Sequence, residues 1–138
     1  MVDTPWSGDA CSLVDAYRVG ERSPAEELEA SLAAIERSSL NAFAHLDPEA
    51  ARETAKNADV SLPFGGVPFG IKELEQVNGW PYTEASLIFK DRIGAYDTTM
   101  VTRLKAGGIV PIGSTTASEF GGLNVSVTKI NGVTGNAW

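Results

Sequence analysis

The chain has 138 residues, 43% of them hydrophobic and 21% charged, the balance of one soluble globular domain. Eighteen acids against eleven bases leave a formal charge of -7. That balance argues against nucleic acid and anionic membranes, which need clustered Lys and Arg. Cys11 is the only cysteine, so no intrachain disulfide forms. The opening residues carry no basic segment followed by an apolar run, and no stretch reaches the length of a membrane span, so a cytoplasmic location is expected.

The first half reads as helices. Asp9 to Val19 carries Leu13, Val14 and Tyr17 at helical spacing and stops at Gly20. In SPAEELEASLAAIERSS, Ser23 suits the N-cap, Pro24 the first helical position and Glu26 the far side of a capping box. Leu28, Leu32 and Ile35 then share a face. DPEAARETAKNAD repeats the pattern with Asp47 and Pro48, and Ala51, Ala55 and Ala58 make a small-residue face that packs closely against another element.

From Gly65 the character changes. VPFGI, Val67 to Ile71, reads as a short strand that ends at Lys72, and NGWP, Asn78 to Pro81, as a turn. DTTMVTRLKAGG reads as a helix capped by Asp97, packed by Met100, Val101 and Leu104 and stopped by Gly107. IVPIGS follows as a strand, in which Pro111 points to an edge or a bulge. TASEFGG reads as a helical turn with Thr116 and Glu119 as a capping box, and SVTKINGVTGNAW as loop. Strand, helix and strand in that order predict a βαβ unit, hence a partly parallel sheet carrying helices. No closing element follows, so the domain reads as interrupted.

Few residues carry chemistry. His45 is the only histidine, and in NAFAHLDPEA nothing local builds a Ser-His-Asp triad or a Cys11–His45 pair around it, so it reads as partly buried or capping. One His and one distant Cys make no metal cluster. GGVPFGIKE has Gly65 and Gly70 in Walker-like separation, but Ile71 intervenes before Lys72 and Glu73 stands where Ser or Thr would hold magnesium. Nucleotide binding is therefore rejected, and no cofactor is expected. Lys72 leaves two readings open. Either it leaves the sheet and points into water, or it is a desolvated amine able to act as a base and activate a serine without any histidine.

Three runs carry a resemblance: GGVPFGIKE…VNGWPYTEAS, YDTTMVTRLKAGGIVPIGSTTASEFGG and TKINGVTGNAW. They resemble, in order, the first blocks of the amidase signature family, from about Pro63 to Trp138. The resemblance implies an α/β fold, a mixed sheet flanked by helices, present here as an incomplete N-terminal part. Residues 1–62 would form a helical N-terminal region and 63–138 the start of the core. It implies amide-bond hydrolysis by a Ser–cis-Ser–Lys triad, with Lys72 as general base. The bridging and nucleophilic serines would come from a Gly/Ser-rich stretch past Trp138, so this chain alone is expected to be inactive. Ser86 and Ser114 are not assigned as nucleophiles. The sequence departs from the family pattern at Glu73 (usually Asp), Thr116 (usually Asn), Gly135 and Ala137 (usually Arg and Pro) and Pro111 (usually β-branched). The expected partners are a small amide substrate and either a companion chain or a second copy. The alternative is a non-catalytic truncated fragment that acts as an interaction or assembly module or is the remnant of a decayed gene.

Overall fold

The structure, a computed structural model, describes residues 4–138. Three α-helices open it. Helix α1 (Ala10–Val19) is capped by Asp9, whose side chain accepts from the Ser12 N–H, and ends at Gly20 in the left-handed conformation. Helix α2 (Pro24–Arg37) begins with the full capping box of Ser23 and Glu26. Helix α3 (Pro48–Lys56) is capped by Asp47 and packs on α2, with Ala51 and Ala55 buried. These caps bond residues three positions apart, which is why the sequence discloses those of α2 and α3.

Strand β1 (Phe43–Leu46) lies between α2 and α3, where the sequence pattern shows only a histidine between apolar residues. Strand β2 (Pro68–Lys72), helix α4 (Thr99–Ala106) and strand β3 (Val110–Thr115) follow. The sheet order is β1-β3-β2. Val110 N–H donates to the Val67 carbonyl and Glu73 N–H to the Thr115 carbonyl, so β2 and β3 advance together and are parallel, as the βαβ reading expects. Strand β1 pairs antiparallel with β3, Leu46 opposite Gly113 and His45 opposite Ser114.

Four expectations are corrected. Pro111 sits in the central strand, not at an edge, and the irregularity of the ladder falls between Phe43 and His45. Pro111 precedes the segment that β1 pairs, Gly113 to Thr115, so its missing N–H removes no donor from that ladder. Thr116 and Glu119 form no capping box. The turn there is a 3₁₀ turn at Glu119–Gly121, preceded by Ser118, with no side-chain cap. The Thr116 hydroxyl instead meets the Ala42 carbonyl at 3.4 Å and the Thr134 hydroxyl at 2.7 Å. The segment read as loop contains a small antiparallel hairpin, β4 (Val127–Thr128) with β5 (Gly132–Val133). On α4, Val101 is fully buried, but Met100 faces solvent.

The chain forms two compact units that interleave along the sequence. One comprises residues up to Ser38, Asp47–Phe69 and Arg103–Ile112. Its core joins Leu13, Val14 and Tyr17 of α1 to Val67, with Trp6 and Val60 packed against them. The Tyr17 hydroxyl donates to the Gly66 carbonyl, and burial raises its pKa. A buried ion pair, Arg22 to Glu27 at 2.7 Å, gathers the Trp6 N–H onto the same carboxylate. The second unit comprises Ser39–Leu46, Gly70–Thr102 and Gly113–Trp138. Its buried side chains include Ile71, Val77, Trp80, Ala85 and Ala117. Among the described residues no helix is long and apolar enough to cross a membrane.

Candidate active site

Lys72 is the last residue of β2. Side chains alternate across a strand, so with Ile71 and Glu73 buried, Lys72 projects from the opposite face. Its side chain is exposed and makes no hydrogen bond or ion pair among the described residues. Its backbone is held. The Lys72 carbonyl accepts from Glu75 N–H at 2.8 Å, and the next N–H, of Glu73, completes the ladder to Thr115. The strand thus presents a lysine on a firm backbone. The desolvation that a lysine base requires is not provided by the described residues.

Glu73 is the residue that sequence reading undervalues. It is 3% exposed. Its Oε1 accepts from the Ala117 N–H at 2.6 Å and from Asn131 Nδ2 at 2.8 Å. Its Oε2 accepts from Asn131 Nδ2 at 3.0 Å and from the Thr83 hydroxyl at 3.4 Å. Three separate segments, at Thr83, at Ala117 and at the β4–β5 turn, therefore converge on one carboxylate beside Lys72. No signal within a few residues of Glu73 could have disclosed this, because its partners are 10, 44 and 58 positions away.

The segment after β2 is stapled by Arg92. Its guanidinium lies between the rings of Tyr82 and Phe89, 4.1 and 4.0 Å from their centroids. It also donates to the Tyr82 carbonyl at 2.6 Å and to Glu84 Oε2 at 2.7 Å. Glu84 and Ala85 both hold left-handed backbone, φ 51° and 59°, which costs a non-glycine residue roughly 1–2 kcal/mol. Ser86 follows, fully buried, its hydroxyl accepting from Ile88 N–H.

Ser114 is buried and lines a cavity of about 250 Å³ together with His45, Glu73, Thr83, Lys90 and Asn131. Lys72 does not line that cavity. His45 is half-buried, packed edge-on against Trp80 at 5.4 Å between ring centroids. Cys11 is exposed, on α1. Gly135 donates its N–H to the Leu40 carbonyl, and a Cβ there would press on the Leu40 side chain at 3.1 Å, so close packing accompanies the glycine at this family position.

Residues 26–138 match a family model described as Amidase. The chain is 38% identical over 120 residues to the A subunit of glutamyl-tRNA(Gln) amidotransferase from Methylacidiphilum infernorum, a match covering 86% of this chain and 24% of that protein. It is 34% identical over 138 residues to the protein of the same name from Rhodopirellula baltica, covering 94% and 28%. Among solved structures, 6-aminohexanoate cyclic dimer hydrolase with bound substrate superimposes with a TM-score of 0.87 at 28% identity, over 95% of this chain and 28% of that one. Fatty acid amide hydrolase, at 18% identity and a TM-score of 0.85, shares the fold. The chain thus spans about a quarter of the length of the curated relatives it matches.

Proposed function

The chain belongs to the amidase signature family, and from that premise we propose that Lys72 is the general base of an amide-bond hydrolase whose two serines lie outside these 138 residues. The observation that carries this reading is the presentation of Lys72: a lysine without a side-chain partner among the described residues, on a hydrogen-bonded backbone, at the end of the parallel strand β2. In the mechanism, the neutral amine takes a proton from a bridging serine, which takes one from the nucleophilic serine. The freed alkoxide attacks the amide carbonyl, and backbone N–H groups of the serine-bearing loop hold the oxyanion. The amine leaves with a proton, and water cleaves the acyl-enzyme along the reverse proton path. Residues carrying that loop would cover Lys72 and supply the desolvation its role requires.

The test joins this chain to a polypeptide carrying a Gly/Ser-rich loop, in one reading frame or as a mixed pair, and assays release of ammonia or amine from simple amides. Turnover is expected for the assembly and not for the chain alone. Lys72→Ala is expected to lower kcat by about 10²–10⁴-fold, the range for a lost general base. Full activity of Lys72→Ala would overturn the assignment, as would turnover by the 138-residue chain alone.

A second reading, a non-catalytic assembly module, is favoured by exposed apolar side chains in one unit: Leu87, Ile88, Phe120, Leu123, Val127 and Val133. Such exposure suits a protein surface that another chain covers. The relatives named as the A subunit of an amidotransferase fit the same idea of a companion chain. Sedimentation velocity separates the readings, because a monomer over a wide concentration range argues against the assembly module.

A further inference from the structure

The carboxylate of Glu73 is buried, in a cavity that Lys90 and His45 also line. Among the described residues no Lys, Arg or His pairs with it, and it is held by neutral donors alone: one backbone N–H, one amide and one hydroxyl. Burying a carboxyl group is costly unless its oxygens are hydrogen-bonded, so the arrangement needs a physical reason. The donors supply one. Each oxygen faces two donors, and neither the backbone N–H nor the amide NH₂ can accept in return. Both oxygens face the Asn131 NH₂. A glutamine of the same shape would turn its own NH₂ toward that group in either orientation. A carboxyl group meets all four contacts, where an amide cannot.

What the four contacts join is specific. Thr83 belongs to the segment after β2, Ala117 to the segment after β3, and Asn131 to the turn between β4 and β5. The Asn131 carbonyl in turn accepts from the Asn41 side chain at 2.7 Å. Glu73 itself is bound through its N–H to Thr115. The residue adjoining Lys72 is thereby tied by backbone to the sheet and by side chain to three further segments. Ile71, on the other side of Lys72, is 1% exposed. Lys72 is gripped from both sides while its own side chain bonds to none of the described residues.

We propose that Glu73 is a positioning residue for Lys72: its carboxylate locks the end of β2 to the Ala117 segment and to the Asn131 turn, so that the Lys72 amine is delivered at one place and direction. This deepens the assignment of Lys72 as the base and rests on it for its functional meaning, but the positioning is measurable without turnover. The identity of the residue matters more than its sign. The family's usual aspartate is one methylene shorter, and glutamate here spans to all three segments.

The experiment reads Lys72 directly. The five lysines are labelled by reductive ¹³C-methylation, and the dimethylamine resonances of the 138-residue chain are followed by NMR. In the native chain, Lys72 is expected to give one sharp resonance. Glu73→Gln is expected to broaden or split it, while Lys56 and Lys105 stay unchanged. Exchange of the Ala117 amide should accelerate about 10–100-fold, the loss of one hydrogen bond to a charged acceptor. If Glu73→Gln does not fold, Asn131→Ala removes one tie only and is read the same way. An unchanged Lys72 resonance in both Glu73→Gln and Asn131→Ala overturns the proposal. If the resonance responds but Lys72→Ala keeps full activity in the assembled enzyme, the base assignment fails and the positioning stands.

Discussion

Replacing Gly113 with Ala would drive a methyl group into the backbone of β1. Gly113 stands opposite Leu46, and an added Cβ would lie far inside van der Waals contact of the His45 carbonyl oxygen and 3.0 Å from Leu46 Cα. Neither neighbour is the flexible end of a side chain, so β1 and β3 must move apart. The flanking bonds that feel this are Asp47 N–H to the Ile112 carbonyl at 3.0 Å and Thr116 N–H to the Ala42 carbonyl at 2.9 Å. Two weakened bonds account for about 1–3 kcal/mol and overpacking adds a similar term, so a loss of roughly 2–6 kcal/mol is expected. For a chain of this size that lowers Tm by roughly 6–24 °C. Two further glycines separate sterics from torsion. Gly79 has φ 83° with nothing within 4 Å of a Cβ, so Gly79→Ala should cost about 1 kcal/mol, from backbone strain alone. Gly122 has φ -75° and its nearest neighbour, the Glu119 carbonyl, at 3.6 Å, so Gly122→Ala should fall within about 0.5 kcal/mol of the native chain. Urea unfolding followed by circular dichroism, with m unchanged, measures all three. A Gly113→Ala chain as stable as the native one would refute the close approach of β1 and β3. So would a Gly79→Ala cost equal to that of Gly113→Ala.

Two other outcomes follow from the helices. Ser23→Ala should cost about 1 kcal/mol at neutral pH through loss of the capping box. The Ser23 side chain, and then its backbone N–H, hold the Glu26 carboxyl below its ordinary value of 4.5. A depressed carboxylate pKa contributes stability that is present above that value and lost as pH falls through the folded one. The gap between native and Ser23→Ala urea midpoints should therefore narrow at about pH 3, and a gap that widens in acid would contradict the capping box. Arg22→Ala leaves the Glu27 carboxylate buried without its cation and should cost about 3–5 kcal/mol. Arg52→Ala removes an exposed pair with Glu29 and should cost less than about 1 kcal/mol. Equal losses for the two arginine variants would contradict the burial that separates them.

Features built from near neighbours are legible in the amino-acid order. Ser23 with Glu26, and Asp47, cap their helices through bonds spanning three residues. A strand ending at Lys72 shows as a short apolar run, and the ordered blocks point to the family. Other features depend on packing. Strand β1 is four residues long and carries too short a pattern to stand out, so it exists because β3 offers it a ladder. Pro111, an edge signal by local rule, is accommodated in the central strand because β1 does not reach it. Thr116 is not a cap but a link between Ala42 and Thr134. Glu73, in sequence a mild departure after the lysine, is the acceptor on which three distant segments meet. A local bond is written in the spacing of its partners. A bond between residues 44 or 58 positions apart forms only once the packed core has brought both groups out of water and to one place.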